Sequence, residues 1–174
     1  MAYWKRFPYF VVLTGLLSLT GCGDLSSPEG QISALHDVNT PPVANLNTKV
    51  LEFARSRLGQ QVGRGECWDL AYQALNAAGA KLPGTGGYGW TQFGLAVPTA
   101  IPGDIIQFEN VKFVYLNGSW NNMAHHTAIA EQVSGTVISL IHQNSNGVRS
   151  PTRGTIDLNA KTQGTLTIYR PKPR

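Results

Sequence analysis

An α+β fold, with N-terminal helices laid on one side of an antiparallel β-sheet, is what this sequence predicts. Three observations carry that expectation. Residues 46–58 and 67–78 place their apolar side chains three and four apart. A stretch rich in glycine and proline follows, and the later apolar runs alternate with period two. Helices first and strands afterwards, without alternation, put the helices on one side of an antiparallel sheet. At 174 residues, 42% hydrophobic and 14% charged, the chain has material for one domain with its own core.

The first segment reads as a leader. Lys5 and Arg6 precede an apolar stretch, residues 7–19, interrupted by Pro8, Thr14, Gly15 and Ser18. Its 13 residues suit a secretory signal, since crossing a bilayer takes about 20. It ends in Leu19-Thr20-Gly21-Cys22, which resembles the bacterial lipobox. That resemblance implies cleavage before Cys22 and a lipid on its thiol, anchoring an envelope protein that faces the periplasm or the exterior. The expected organisation is a signal peptide (1–21), a lipidated cysteine with a polar, disordered tether (22–45), and one domain (46–172), with a monomer expected. Loss of Lys5 and Arg6 leaves 12 basic against 10 acidic side chains, a net of +2. So small an excess argues against a nucleic-acid partner.

Cysteine usage sharpens the reading. Cys22 and Cys67 are the two cysteines, and lipid would consume the first. Cys67 is then unpaired in an oxidising compartment, which marks a reactive thiol.

In the first helix Val50, Phe53, Ala54 and Leu58 form the apolar face, and Gly59 lies just past its end. In the second, Cys67, Leu70, Ala71, Ala74, Leu75 and Ala78 fall on one face, with Gly79 as the C-terminal cap. Cys67 therefore sits in the first turn, facing inward. Residues 80–103 hold six glycines and three prolines and read as a long loop without regular structure, of the kind that usually carries function. Tyr88 and Trp90 on it are candidates for a substrate groove, although such aromatics more often pack. Strands are expected at 104–108, 112–116, 126–133, 136–142 and 165–170. Asn117-Gly118 and Ser134-Gly135 are the turns.

A cysteine at a helix start meets partial positive charge and free N–H groups, which favour its thiolate and can hold an oxyanion. It also needs a histidine as general base and acid, and a third polar group to orient that ring. His126 begins one expected strand and His142 ends the next, so a tight turn makes them neighbours at one end of the sheet. His126 shares a strand face with Ala128 and Ala130, whose small side chains leave room for a helix. His125 faces the other way, toward solvent or a loop. Asn144 rivals His142 as the orienting residue. Asp104 is expected to fix its turn by local hydrogen bonds, and Asp69 to complement the helix dipole. Cys67, His126 and His142 could alternatively hold Zn²⁺, but no short ligand pair such as Cys-x-x-Cys accompanies them. No metal or cofactor is expected.

Gly65-Glu66-Cys67-Trp68-Asp69-Leu70, Pro102-Gly103-Asp104-Ile105-Ile106-Gln107-Phe108 and His126-Thr127-Ala128-Ile129-Ala130, in that order, resemble the NlpC/P60 superfamily of papain-like cysteine peptidases. Ile141-His142-Gln143-Asn144 with Gly147 is closer to its CHAP branch, the cysteine, histidine-dependent amidohydrolases and peptidases. The resemblance covers roughly residues 46–171. It implies a papain-like fold and metal-free cleavage of amide bonds, typically in peptidoglycan stem peptides. Cys67 would be the nucleophile, His126 the general base and acid, and His142 the orienting residue. Residues 110–123 look like an insertion ahead of the histidine. Two other readings keep the fold: a thiol acyltransferase or hydrolase with a different substrate, and a non-catalytic envelope lipoprotein using it as a binding module.

Overall fold

The computed structural model describes residues 43–83 and 94–174. Cys22, Tyr88 and Trp90 lie outside those residues. Helix α1 (Val43–Ser56) starts directly after Pro41-Pro42, three residues earlier than its apolar spacing suggests. Helix α2 (Cys67–Ala78) has the expected bounds. Leu70, Ala71, Ala74, Leu75 and Ala78 are buried, and Gly79 closes the helix at φ 74°, a left-handed value that glycine takes without a Cβ clash.

Six strands follow: β1 (Gly94–Val97), β2 (Ile105–Val114), β3 (Trp120–Ser134), β4 (Val137–His142), β5 (Thr152–Asp157) and β6 (Lys161–Pro171). They form one sheet in the order β1-β6-β2-β3-β4-β5, with every neighbouring pair antiparallel. The expected strands at 104–108 and 112–116 are one continuous strand, β2. The apparent insertion at 110–123 is the outer half of the β2–β3 hairpin, turned at Asn117-Gly118. Strands β1 and β5 are the differences from the sequence reading. β1 lies inside the glycine-rich stretch, and β5 buries only Ile156 of its six residues, so neither shows a period-two apolar signal.

The two faces of the sheet carry separate cores. Register aligns Ile105, Ile129 and Ile141 across β2, β3 and β4, and these pack with α1 and α2 against Tyr169. The opposite face holds Ile106, Phe108, Phe113, Ala128, Ala130, Leu140, Ile156 and Ile168. This corrects the expected role of Ala128 and Ala130. Both lie in the apolar cluster of that opposite face, within which Phe108 and Phe113 meet edge to face, and the helices dock on the isoleucine row. Each fully buried isoleucine of that row contributes about 1.5–3 kcal/mol of burial.

Polar contacts bolt the layers together at the entry to β2. The fully buried Asp104 carboxylate accepts hydrogen bonds from Asn47 Nδ2 (2.8 Å) on α1, Ile101 N (2.9 Å), and Arg170 Nε and Nη2 (3.2 and 3.0 Å) on β6. Asp104 thus does more than fix its own turn. Gly103 is required beside it: at φ 87° a Cβ would lie 2.1 Å from the Asn47 carbonyl oxygen. A second bolt joins α1 to β5, where Arg55 and Arg153 both pair with Glu131 of β3. These pairs hold its carboxyl below the usual range, the Arg153 hydrogen bond contributing most.

Candidate active site

Cys67 is the first residue of α2, whose start is closed by a capping box in which the Glu66 carboxylate accepts from Asp69 N and the Asp69 carboxylate from Glu66 N. The segment before it is clamped from three directions. Gln143, fully buried just after β4, accepts from Val62 N (2.9 Å) and donates to Val62 O (3.0 Å) and Glu66 O (2.8 Å). Asp69 turns back from the first turn and accepts from Arg64 N (2.8 Å) and Glu66 N (3.3 Å). Its carboxylate therefore braces the approach to the helix as well as facing the dipole. Glu66 in turn receives Asn144 Nδ2 (2.7 Å) and the Arg149 guanidinium. Sequence reasoning missed Gln143 as a positioning residue. Its one signal was a long polar amide next to a candidate histidine.

Cys67 is half-buried and meets β3 at Thr127. Burial pushes its thiol above the ordinary range, and a nearby Glu66 charge adds to that. The Thr127 and Trp68 backbone N–H groups and the Thr127 hydroxyl pull the other way without prevailing. The expected acidification by the helix end is therefore outweighed by desolvation, and the resting group is a thiol. Thr127 is itself held: its hydroxyl donates to Gln107 Oε1 (2.6 Å), and Gln107 Nε2 donates to Glu109 Oε1 (2.8 Å). Glu109 ends this row against His125 Nδ1 (2.7 Å). Thr127 was also missed by sequence reasoning, because its neighbour His126 drew the attention.

His126 and His142 come together as the antiparallel register requires. The last β3–β4 pair is Ala128 with His142, and the two rings meet edge to face with His126 Nε2 3.0 Å from His142 Nδ1. Both rings are buried. Burial, followed by the charges His142 and His125 would carry, lowers His126 to about 4, and burial alone lowers His142. Both are neutral at pH 7, so one proton lies between Nε2 and Nδ1. If His126 donates it, His126 Nδ1 presents a lone pair and can act as a base. Phe108 packs on the same ring at 6.1 Å between centroids. Gly154 of β5 makes room for His142: a Cβ there would lie 2.9 Å from Nε2. His142, and not Asn144, is thus the residue that meets His126. The amide nitrogen of Asn144 is engaged by Glu66.

By register His126 and His142 lie on the sheet face away from the helices, and Cys67 arrives from the helix side. Thr127 lies one residue beyond the last β3–β4 pair, where β4 no longer covers that edge. Among the described residues no three His, Cys, Asp or Glu side chains gather as metal ligands.

The family comparison is decisive about kinship. Residues 43–174 match the AIM3/BBC1 cysteine proteinase-fold domain. The chain belongs to this family. Altered inheritance of mitochondria protein 3 from Debaryomyces hansenii is a relative of this AIM3/BBC1-type domain, 29% identical over 154 residues. That match takes in 75% of the chain but 17% of the relative, so the chain spans about a sixth of that protein's length. The crystal structure of Ly7917 resembles it in fold, with a TM-score of 0.50 and 22% identity over 72% of this chain and 62% of that one. The chain is therefore a papain-like α+β domain with a cysteine-proteinase fold, as the sequence motifs implied at that level.

Proposed function

We propose that this AIM3/BBC1-type domain is a cysteine amide hydrolase in which Cys67 attacks and His126 moves the proton. The observation that carries the reading is the junction at Thr127. A thiol at a helix start is hydrogen-bonded to the residue adjoining His126, whose ring is buried and braced by His142. Both groups rest neutral and lie on opposite faces of the sheet, so the proton leaving Cys67 as the sulfur adds to a carbonyl reaches His126 through one water at the free β3 edge beside Thr127, and returns by that route to the leaving amine. Backbone N–H groups at the start of α2 serve the oxyanion. Water then releases the acyl group from Cys67.

The finer reading is a peptidoglycan-peptide amidase or endopeptidase of the NlpC/P60 type, near its CHAP branch, held at a membrane through lipidated Cys22. It rests on the motif order and on the leader with its lipobox-like end. Purified sacculi and muropeptides test it: wild type releases new amine termini and Cys67→Ala releases none. Identical product profiles from the two proteins would overturn it. Membrane fractionation of a Cys22→Ser variant tests the anchor, with release into the soluble fraction expected.

One observation favours a second reading, a non-catalytic binding module: burial keeps the Cys67 thiol protonated. Iodoacetamide labelling that stays slow at pH 7, together with no turnover of any amide substrate, would select it.

A further inference from the structure

We propose that the outer half of the β2–β3 hairpin forms a binding groove for a neutral oligosaccharide, running along β3 toward His126. The proposal deepens the hydrolase reading, because it makes the substrate a glycan that carries the peptide.

Trp120 opens β3 and is 68% exposed, a large apolar surface that packing does not explain. Beside it Tyr115 lies nearly parallel to the buried Phe113, with 6.3 Å between centroids, which fixes the plane of its ring. Tyr115, Trp120 and Thr155 line an outer groove together with Asn121, Asn122 and Asn146. The same three asparagines continue into an inner groove that ends at His125 and His126. Along a strand the six steps from Trp120 to His126 span about 20 Å, enough for an extended oligomer. β4 first pairs with β3 at Ala128, so this part of β3 has no β4 neighbour.

The chemistry of the lining selects the ligand class. No Lys, Arg, Asp or Glu is among the described residues lining either groove, so a charged ligand would find no counter-ion there. A primary amide offers a donor and an acceptor together, matching hydroxyl groups that also do both. Flat aromatic faces suit the apolar face of a sugar ring, as they suit other ring stacking. A peptide adding to the strand edge would need pockets for alternate side chains; three amides and two rings fit a hydroxyl-rich ring better.

The test uses the Cys67→Ala protein, so that binding is read without turnover. The probes are the β-1,4-linked tetramer of N-acetylglucosamine, maltoheptaose and penta-alanine, followed by titration calorimetry and the Trp120 indole N–H resonance. A sugar is expected to shift that resonance, with Trp120→Ala weakening binding by about tenfold or more and Trp120→Phe retaining most of it. Asn122→Ala is expected to weaken it by about three- to tenfold. The proposal falls if neither sugar binds, if only the peptide shifts the resonance, or if Trp120→Ala leaves sugar affinity unchanged. Sugar binding by a wild-type protein that cleaves no amide would sink the hydrolase reading and leave the groove standing.

Discussion

The two faces of the sheet differ in what they do with polar groups. On the helix face Thr127, Gln107, Glu109 and His125 run outward in a row of hydrogen bonds that ends half in solvent. On the other face His126 and His142 are closed in beside Phe108 and satisfy each other. Adjacent residues of one strand, His125 and His126, therefore receive opposite environments. Alternation alone separates an imidazole that pairs with an exposed carboxylate from one that burial keeps neutral. The lesson is that the motif residue is set apart from its neighbour by the face it occupies.

The sharpest way to break this comparison is to exchange the histidines. His126→Ala is expected to lower kcat on a cleavable amide substrate by about 10²–10⁴-fold, as loss of a general base does. His125→Ala should change it by less than about fivefold, because no step is assigned to it. Equal losses from the two variants, measured by release of amine termini, would erase the distinction between the faces.

Acid probes the closed face. His126 has a folded pKa of about 4, below its unfolded value, so the unfolded chain binds more protons between those values. Stability from this ring is full above about pH 6.5 and is lost as pH falls toward 4, by about 3 kcal/mol. Glu131, held below the usual carboxylate range, also loses its contribution as pH falls. Urea unfolding at pH 7 and pH 4 should therefore show a smaller acid loss for His126→Gln than for wild type, with the Glu131 part common to both.

Gly154→Ala sharpens the account of His142. The added methyl meets Nε2 at 2.9 Å, so the ring must move off its hydrogen bond with His126. A kcat loss of about tenfold to a hundredfold with little change in KM is expected, since a small misplacement of a catalytic group suffices. Unchanged kcat would mean that His142 does not orient His126.

The smallest effect belongs to Asn144. Its φ of 59° is left-handed, which glycine tolerates, and its amide nitrogen shares Glu66 with Arg149. Asn144→Gly should cost about 1 kcal/mol in urea unfolding and leave kcat within about threefold. A loss as large as that of Gly154→Ala would restore Asn144 as the orienting residue.

Much of this architecture was legible because it follows from short-range rules. The apolar offsets of α2 locate Cys67 at its first turn, and the tight turn at Ser134-Gly135 places His126 near His142. β1 and β5 escaped notice because edge strands bury too little to imprint alternation. Gln143 and Thr127 escaped because their partners, Val62 and Cys67, lie far away in the chain.

The sequence by itself determined the order of helices and strands, the helical position of Cys67 and the pairing of the two histidine-bearing strand ends. All depend on periodicity and turn residues within a few positions. Tertiary structure decided which face each side chain occupies, that Ala128 and Ala130 lie in the cluster away from the helices, and that the Cys67 thiol stays protonated. Those outcomes depend on what non-local neighbours exclude water from a group, and burial is a property of the assembled chain.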